Sequence, residues 1–477
     1  MEPDRSGSPY PDAAEFAAHV ASLYGMRRIL DVGAAWSREL EIAYPGLSPL
    51  TAEEGSGRAA TGAAILAVGA ADPLFGPDGR LAAGGVDVES SPLIVIATDD
   101  AAVAKAWLTT QGLVPAFAGR TRLDESDSAR SAHLFVVDRA LDRAIASADP
   151  APDTFRVVAI VAAYNEEDVI GPSIEKLIDD GVGVYVIDNW STDRTAEIVR
   201  GFEGRGLVGS ERFPATPDDR FALRSLLVRA TEVAAGLEAD WCVHHDADER
   251  RLGPWPGLGL RESLWRVDRA GFNAVDFTVA NYRPIDNSYE PGSDFEEHFR
   301  NFEFGDTSDL LVQIKAWKND RRVDLVGSAG HQARFANRRV FPYKFLLKHY
   351  PIRSQAHGER KIFRERIPRW DRHERVRGWH VHYDDFRPDQ SFLRDPAELI
   401  EDRGEETWRV YMPEALTGSG LVHREFPEWA LRGGAGRSFF LGRQAWERSA
   451  AAGLFREAVG KPRGLVRRVR RALAERG

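Results

Sequence analysis

Two carboxylates one residue apart, Asp246 and Asp248, close the stretch Trp241-Cys242-Val243-His244-His245-Asp246-Ala247-Asp248-Glu249. The stretch begins apolar and ends acidic, as a strand does when it runs out into a turn. Residues i and i+2 of a strand share one face, so the pair can share a hard divalent cation, which takes oxygen ligands. A solvated acidic pair has the same letters, so the elements that would position these carboxylates matter. Upstream, Arg156 to Ala163 is a near-continuous apolar run suited to a strand buried on both faces. Tyr164-Asn165-Glu166-Glu167-Asp168 follows and opens a helical pattern, with Ile170, Ile174, Leu177 and Ile178 at helical spacing. Gly181 and Gly183 end that helix. Val184 to Ile187 then makes a second strand that delivers Asp188 and Asn189, and Ser191 or Thr192 caps a further helix through Ile198 and Val199. Strand, helix, strand at this spacing is a βαβ unit, which requires a parallel sheet. Ligands of such sheets bind at the carboxyl ends of the strands, where Tyr164, Asp188 and Asp246 all fall.

In order and spacing, Tyr164-Asn165-Glu166-Glu167, Asp188-Asn189-Trp190-Ser191-Thr192-Asp193 and Asp246-Ala247-Asp248-Glu249 resemble the nucleotide-sugar site of family-2-type glycosyltransferases of the GT-A fold. Many members carry glycine where this chain has Trp190. The resemblance implies an α/β domain with a mostly parallel sheet over residues 153–390. It implies a donor site of Tyr164, Asn165, Glu166, Asp188, Arg224 and Asp246. Tyr164 would stack on a pyrimidine, Asp188 would accept its imide N–H, and the donor would be a UDP or dTDP sugar. Arg224 would face the diphosphate from the basic helix Arg220–Ala230, with Arg220 and Arg229 as alternatives. The resemblance also implies a late histidine that joins Asp246 and Asp248 on Mn2+ or Mg2+, and His349, with Arg353, Ser354 and Lys361 after it, is similar to that element.

A sugar nucleotide leaves negative charge on its diphosphate, which a divalent Lewis acid can neutralise. The acceptor hydroxyl is a weak nucleophile and needs a general base, of which an inverting enzyme needs one. Glu249, Asp286 and the cluster Asp294, Glu296 and Glu297 are candidates, and the cluster also reads as a helix start. Seven of the 12 histidines fall between positions 298 and 382. Among them His331, in a glycine-flanked turn, reads as an active-site loop residue. His380 and His382 could bind a metal or pack in a strand.

The 477-residue chain exceeds one ordinary domain. Its net charge of −10 argues against general nucleic-acid binding. The single cysteine, Cys242, excludes an intrachain disulfide and reads as core. With neither an apolar leader nor a membrane-length apolar run, the expectation is a cytoplasmic protein. Residues 1–150 read as a smaller Rossmann-like domain, with strands at Arg28–Val32, Leu93–Ala97 and Leu134–Val137. This domain is similar to class I methyltransferases, but Gly33-Ala34-Ala35-Trp36-Ser37 lacks the further glycines that let backbone approach a cofactor. A degenerate packing or docking module is therefore expected, with a methyltransferase or bifunctional enzyme as the alternative, and an inactive nucleotide-sugar-binding scaffold as another. Residues 391–477 read as a helical region. Its tail, 461–477, holds seven basic residues and one acid, a pattern that fits peripheral contact with an anionic membrane and a glycan or lipid-linked acceptor of polysaccharide synthesis.

Overall fold

The computed structural model describes residues 28–31, 48–51, 64–68, 91, 93–98, 100–111, 117–122, 131–139 and 149–404. Short gaps interrupt the last range at 218–219, 256, 305–312, 320–322, 342, 372–373, 375–378 and 380–385. Two sheets organise these residues. The first holds β1 (Arg28–Asp31), β2 (Ser48–Thr51), β3 (Ala64–Val68), β4 (Leu93–Thr98), β5 (Phe117–Arg122) and β6 (Ser131–Asp138), in the order β2-β1-β3-β4-β6-β5. The first four strands are parallel and the last two antiparallel. Helix α1 (Ala101–Thr110) follows β4, capped by Asp100, whose carboxylate accepts from the Ala102 and Val103 N–H groups. β2, β3 and β5 are absent from the sequence reading: the first is four residues with a proline, and the last holds a glycine and two arginines.

The second sheet carries the site. β7 (Val157–Ala163), β8 (Gly183–Asp188), β9 (Leu207–Arg212) and β10 (Trp241–Asp246) form a parallel run in the order β10-β7-β8-β9. Beyond β10 the sheet is mixed. β14 (Ile314–Lys318) pairs with β10 and β12 (Ala274–Tyr282), and β15 (Phe345–His349) lies between β12 and β11 (Glu249–Leu252), all antiparallel except where β12 pairs with β15. β13 (Asn301–Phe304) and β16 (Ile400–Glu401) extend from β12.

Alternation along β7 explains the layering. Val157, Ala159, Val161 and Ala163 join one core with α2 (Ile170–Asp179) and α5 (Leu260–Arg269). Ile160 faces the other way, into a second core with Leu226, Leu227 and Ala230 of α4 (Leu223–Gly236) and with Cys242. Helices thus cover both faces, as a parallel sheet demands. In α2 the buried Ile170, Ile174 and Leu177 lie at helical spacing, and each such side chain contributes about 1.5–3 kcal/mol. Helix α3 (Thr195–Arg200) begins later than Ser191 or Thr192 would set it. Ser191 instead accepts the Asn165 N–H through Oγ, and the Thr192 N–H donates to Asn165 Oδ1, so both residues tie loops together.

Cys242 is fully buried and burial pushes its thiol up to about 12. It should therefore stay unreactive toward a thiol reagent at neutral pH and react only on unfolding. Rapid labelling of native protein would remove it from the core.

Candidate active site

The parallel register sets three strand ends level, with Ala163 opposite Asp188 and Ala162 opposite Asp246. Asp188 is 4% exposed. Its Oδ1 accepts the Ser191 N–H at 3.1 Å, and its Oδ2 lies 3.3 Å from Arg212 Nε. The Arg212 guanidinium sits 5.1 Å from the Trp190 ring centroid. Trp190 has φ 60°, a left-handed conformation that costs a side chain energy and glycine nothing. That is the physical reason glycine suits this position. Here the indole N–H recovers a bond to the Pro214 carbonyl at 2.7 Å. The Arg369 guanidinium lies 3.7 Å from the Tyr164 ring centroid and donates to Asn189 Oδ1 at 3.0 Å. A cavity of about 70 Å3 opens here, lined by Tyr164, Asn189, Phe221, His244, Asp246 and Arg366. A larger one of about 680 Å3 lies at the opposite, amino end of the parallel strands, against Val157, Gly183 and Leu237. It holds none of the residues assembled at the carboxyl ends, whereas Tyr164, Asn189 and Asp246 line the smaller one.

Asn165 and Glu166, expected to face the donor, are buried and engaged within the protein. Asn165, at φ 54°, donates from Nδ2 to Glu365 at 2.9 Å and accepts from Thr192. Glu166 is held by Arg353 at 2.5 Å and by Lys361 at 3.1 Å. Arg353 is 1% exposed and also grips Asp168 with two bonds of 2.6 and 2.9 Å. Glu166, Asp168 and His357 could by themselves hold a metal ion, but the Arg353 guanidinium already stands among them, 2.7 Å from His357 Nε2.

Sheet register brings His349 to the acidic pair. Glu249, one residue beyond Asp248, lies opposite His349 across β11 and β15, and the Tyr350 N–H donates to the Asp248 carbonyl at 2.9 Å. His349 Nδ1 donates to Asn281 Oδ1 at 2.9 Å. Its Nε2 lone pair then faces Asp248 Oδ1 at 3.7 Å. Two acceptors facing each other are reconciled by a cation, and a histidine oriented through its other nitrogen is the usual form of a metal ligand. Burial holds the His349 ring below its ordinary range, which keeps it neutral and able to ligate. Burial disfavours the charge on Asp248, but Lys361 at 2.8 Å and Arg353 at 3.7 Å outweigh it and hold the carboxyl well below the usual range. Lys315, at 2.9 Å from Oδ2, does the same for Asp246 against burial. Two carboxylates and one imidazole are donor types that suit Mn2+ or Mg2+. Their ligand atoms do not gather within 4.8 Å of one another as those of Glu166, Asp168 and His357 do, so an ion would have to draw them together. Asp246, at 41% side-chain exposure, is on the open side.

The residues considered for the general base are differently placed. Glu249 is buried and taken up by Lys315 at 3.1 Å, Arg251 and the Asp246 N–H. Asp294 caps α6 (Phe295–His298) and pairs with Lys176 at 2.7 Å. Glu296 is held by Lys176, Arg250 and Lys348. Burial disfavours the charge on Asp294 and Glu296, but these lysine and arginine partners keep both carboxyls below their ordinary range. Asp294 and Glu296 thus sit in a charge-paired helix start, the second of the two readings the sequence offered. Asp286 bonds Ser288. His331 follows Ala329, at φ 52°, and bonds Gln313 through Nδ1 at 2.8 Å. Gly330 before it packs on the His244 ring so closely that a Cβ there would sit 3.2 Å from Cε1. Arg224 is exposed in the first turn of α4, Arg229 is committed to Glu211 and Glu232, and Arg220 lies 3.9 Å from Asp371. The pair His380 and His382, the loop Gly33–Ser37 and the basic tail lie outside the described residues. Sequence reasoning missed Lys315, Arg366 and Arg369 as neighbours of the site, and the only signal for the latter two is the density of basic residues after His349.

No helix among the described residues is long and apolar enough to cross a membrane. No curated protein matches the chain. Among solved structures, S. aureus TarS residues 1–349 is similar at 14% identity and TM-score 0.24, over 41% of this chain and 60% of that one. Longer S. aureus TarS matches at 14% identity and TM-score 0.25, over 46% and 42%. Glucosyl-3-phosphoglycerate synthase from Mycobacterium tuberculosis, in complex with Mn2+, UDP and phosphoglyceric acid, matches at 23% identity and TM-score 0.16, over 23% and 36%. This chain thus spans about 60% of the length of the first of these. Residues 158–211, from β7 to the end of β9, match the model of the family described as Glycosyl transferase family 2, so a segment of that type lies at the centre of this mixed α/β domain.

Proposed function

We propose that this protein is a glycosyltransferase that takes a sugar from a nucleoside-diphosphate donor, UDP or dTDP favoured, with a divalent cation held by Asp246, Asp248 and His349. The observation that carries the reading is the meeting of the His349 Nε2 lone pair with Asp248 at 3.7 Å, beside the cavity that Asp246 lines. The family match over residues 158–211 supports it. When bound, the cation neutralises charge on the departing diphosphate. The protein's own part is to present Asp188 Oδ2 to the base, to hold the loop after β7 rigid through Arg353, and to bring Arg366 and Arg369 to the cavity. His331 and Asp286 stay the leading candidates for removing the acceptor's proton, since Glu249, Asp294 and Glu296 are each paired with lysine or arginine. We infer inversion at the anomeric carbon and a glycan or lipid-linked acceptor, with residues 1–150 serving packing or docking.

A thermal-shift panel of nucleotide sugars with and without Mn2+ tests the reading, since a ligand of the folded state stabilises by mass action. Stabilisation by a uridine or thymidine sugar that requires Mn2+ is the expected result. A purine preference, or none at all, would count against it. A sharper check is Asp188→Ala, which should weaken UDP binding by about 1–3 kcal/mol, the usual cost of leaving a polar partner unpaired. Unchanged UDP affinity by calorimetry would move the base elsewhere.

A further inference from the structure

Lys361 is paired with Asp248, one of the two carboxylates proposed to hold the cation. Its Nζ is 2.8 Å from Asp248 Oδ2 and 3.1 Å from Glu166 Oε1, and the residue is 7% exposed. We propose that Lys361 is a removable counter-ion: it holds Asp248 until a divalent cation enters, and the displaced ammonium then reaches the donor's diphosphate. The inference rests on the donor and cation reading above.

Charge is the first argument. Asp246, Asp248, Glu166 and Asp168 are four carboxylates, and Lys315, Lys361 and Arg353 are the three cations paired with them. The group is one positive charge short of neutral. A divalent cation overshoots by one, and release of one lysine restores the balance. Lys361 and Lys315 each share a carboxylate with the incoming ion, Asp248 and Asp246 respectively, and the segment that carries Lys361 decides between them. Arg353 cannot leave, because its fork is bonded to two carboxylates and it is almost fully enclosed.

The second argument is mechanical. Lysine is a compact charge on a flexible stem, unlike the rigid arginine fork. Lys361 lies in a π-helical segment, Arg360–Arg366, that follows α7 (Gln355–Glu359), and such wide turns are frequent at functional sites. The same segment sends Arg366 to the cavity, and the turn after it, Ile367–Arg369, lays Arg369 over Tyr164. Lys361 thus shares its segment with Arg366, which lines the cavity where the donor is proposed to bind. An ammonium expelled from Asp248 by the cation needs an anion, and the donor's diphosphate supplies one when it binds.

The consequence is that cation and nucleotide bind better together than apart, through one residue. Calorimetric titration of Mn2+ into the full chain, with and without UDP, tests this. Lys361→Met should bind Mn2+ alone about tenfold more tightly than the wild type, within the usual range of coupling between two ligands. The gain in Mn2+ affinity that UDP confers should shrink in the same variant. Lys361→Arg, whose fork fits a carboxylate better, should bind Mn2+ more weakly than the wild type. Folded Lys361→Met with equal or weaker Mn2+ affinity overturns the proposal. If that variant does not fold, Lys361→Arg with equal or tighter affinity overturns it. A wild type that binds neither Mn2+ nor UDP removes the donor and cation reading, and the exchange with it. A wild type that binds both, with variants indistinguishable from it, removes the exchange alone.

Discussion

Asp248→Asn should lower Mn2+-dependent turnover by roughly a hundred- to a thousandfold while the protein stays folded. A metal ion acting on a leaving group is worth several kcal/mol in the transition state, and each 1.4 kcal/mol is about tenfold in rate. Asparagine keeps the volume of a residue that is 6% exposed and removes one ligand charge. The variant leaves Lys361 with Glu166 alone, and leaves Arg353 with Glu166 and Asp168. The stability cost should therefore fall below the ~3–5 kcal/mol of a wholly orphaned buried charge. Circular dichroism separates folding from chemistry, and calorimetry should show Mn2+ affinity falling with turnover. Full turnover of folded Asp248→Asn in excess chelator would sink the metal site. Lys361 and Lys315, already on the two carboxylates, would then be the cations that carry the chemistry.

The half of the site built by local sequence was legible. β7, β8 and β10 are apolar runs whose last residues are Ala163, Asp188 and Asp246, and parallel pairing sets those ends level without further information. The other half is made by contacts between residues far apart in the chain. His349 reaches Asp248 only because β15 pairs with both β11 and β12, and no period in the sequence encodes that pairing. The same distance hides the partners of the acidic cluster. The acidity of Asp294 and Glu296 is plain in the sequence, but the lysines and arginines that neutralise them come from α2, β11 and β15. Asn165 and Glu166 have the residue types of a binding loop, and their types say nothing about whether they bond a ligand or, as here, Glu365, Arg353 and Lys361. Trp190 is the opposite case. Its departure from glycine is visible at once, but only the backbone angle shows what the departure costs and what the indole recovers.

Arg353→Met should have the largest effect on stability, roughly 3–5 kcal/mol, because it removes the cation from buried carboxylates that cannot reach water. Glu166 would keep Lys361, but Asp168, 7% exposed, would lose both bonds of its bidentate pair. For a domain of this size about 1 kcal/mol moves the melting temperature by 2–4 °C, so a fall of roughly 10 °C is expected. Arg353→Lys keeps the charge without the planar fork and should recover part of that loss. Arg229→Ala is the control. Arg229 also bonds two carboxylates, Glu211 and Glu232, but its side chain is 33% exposed, and such pairs are worth about 0–1 kcal/mol. The contrast tests burial rather than the number of ion pairs. Glu166 and Asp168 anchor the loop that carries Tyr164, so Arg353→Met should also weaken UDP binding, whereas Arg229→Ala should not. A melting temperature for Arg353→Met within 2 °C of the Arg229→Ala value would show that the buried pairs barely offset their own desolvation. The loop after β7 would then have to be held by the bonds of Asn165 to Ser191 and Thr192.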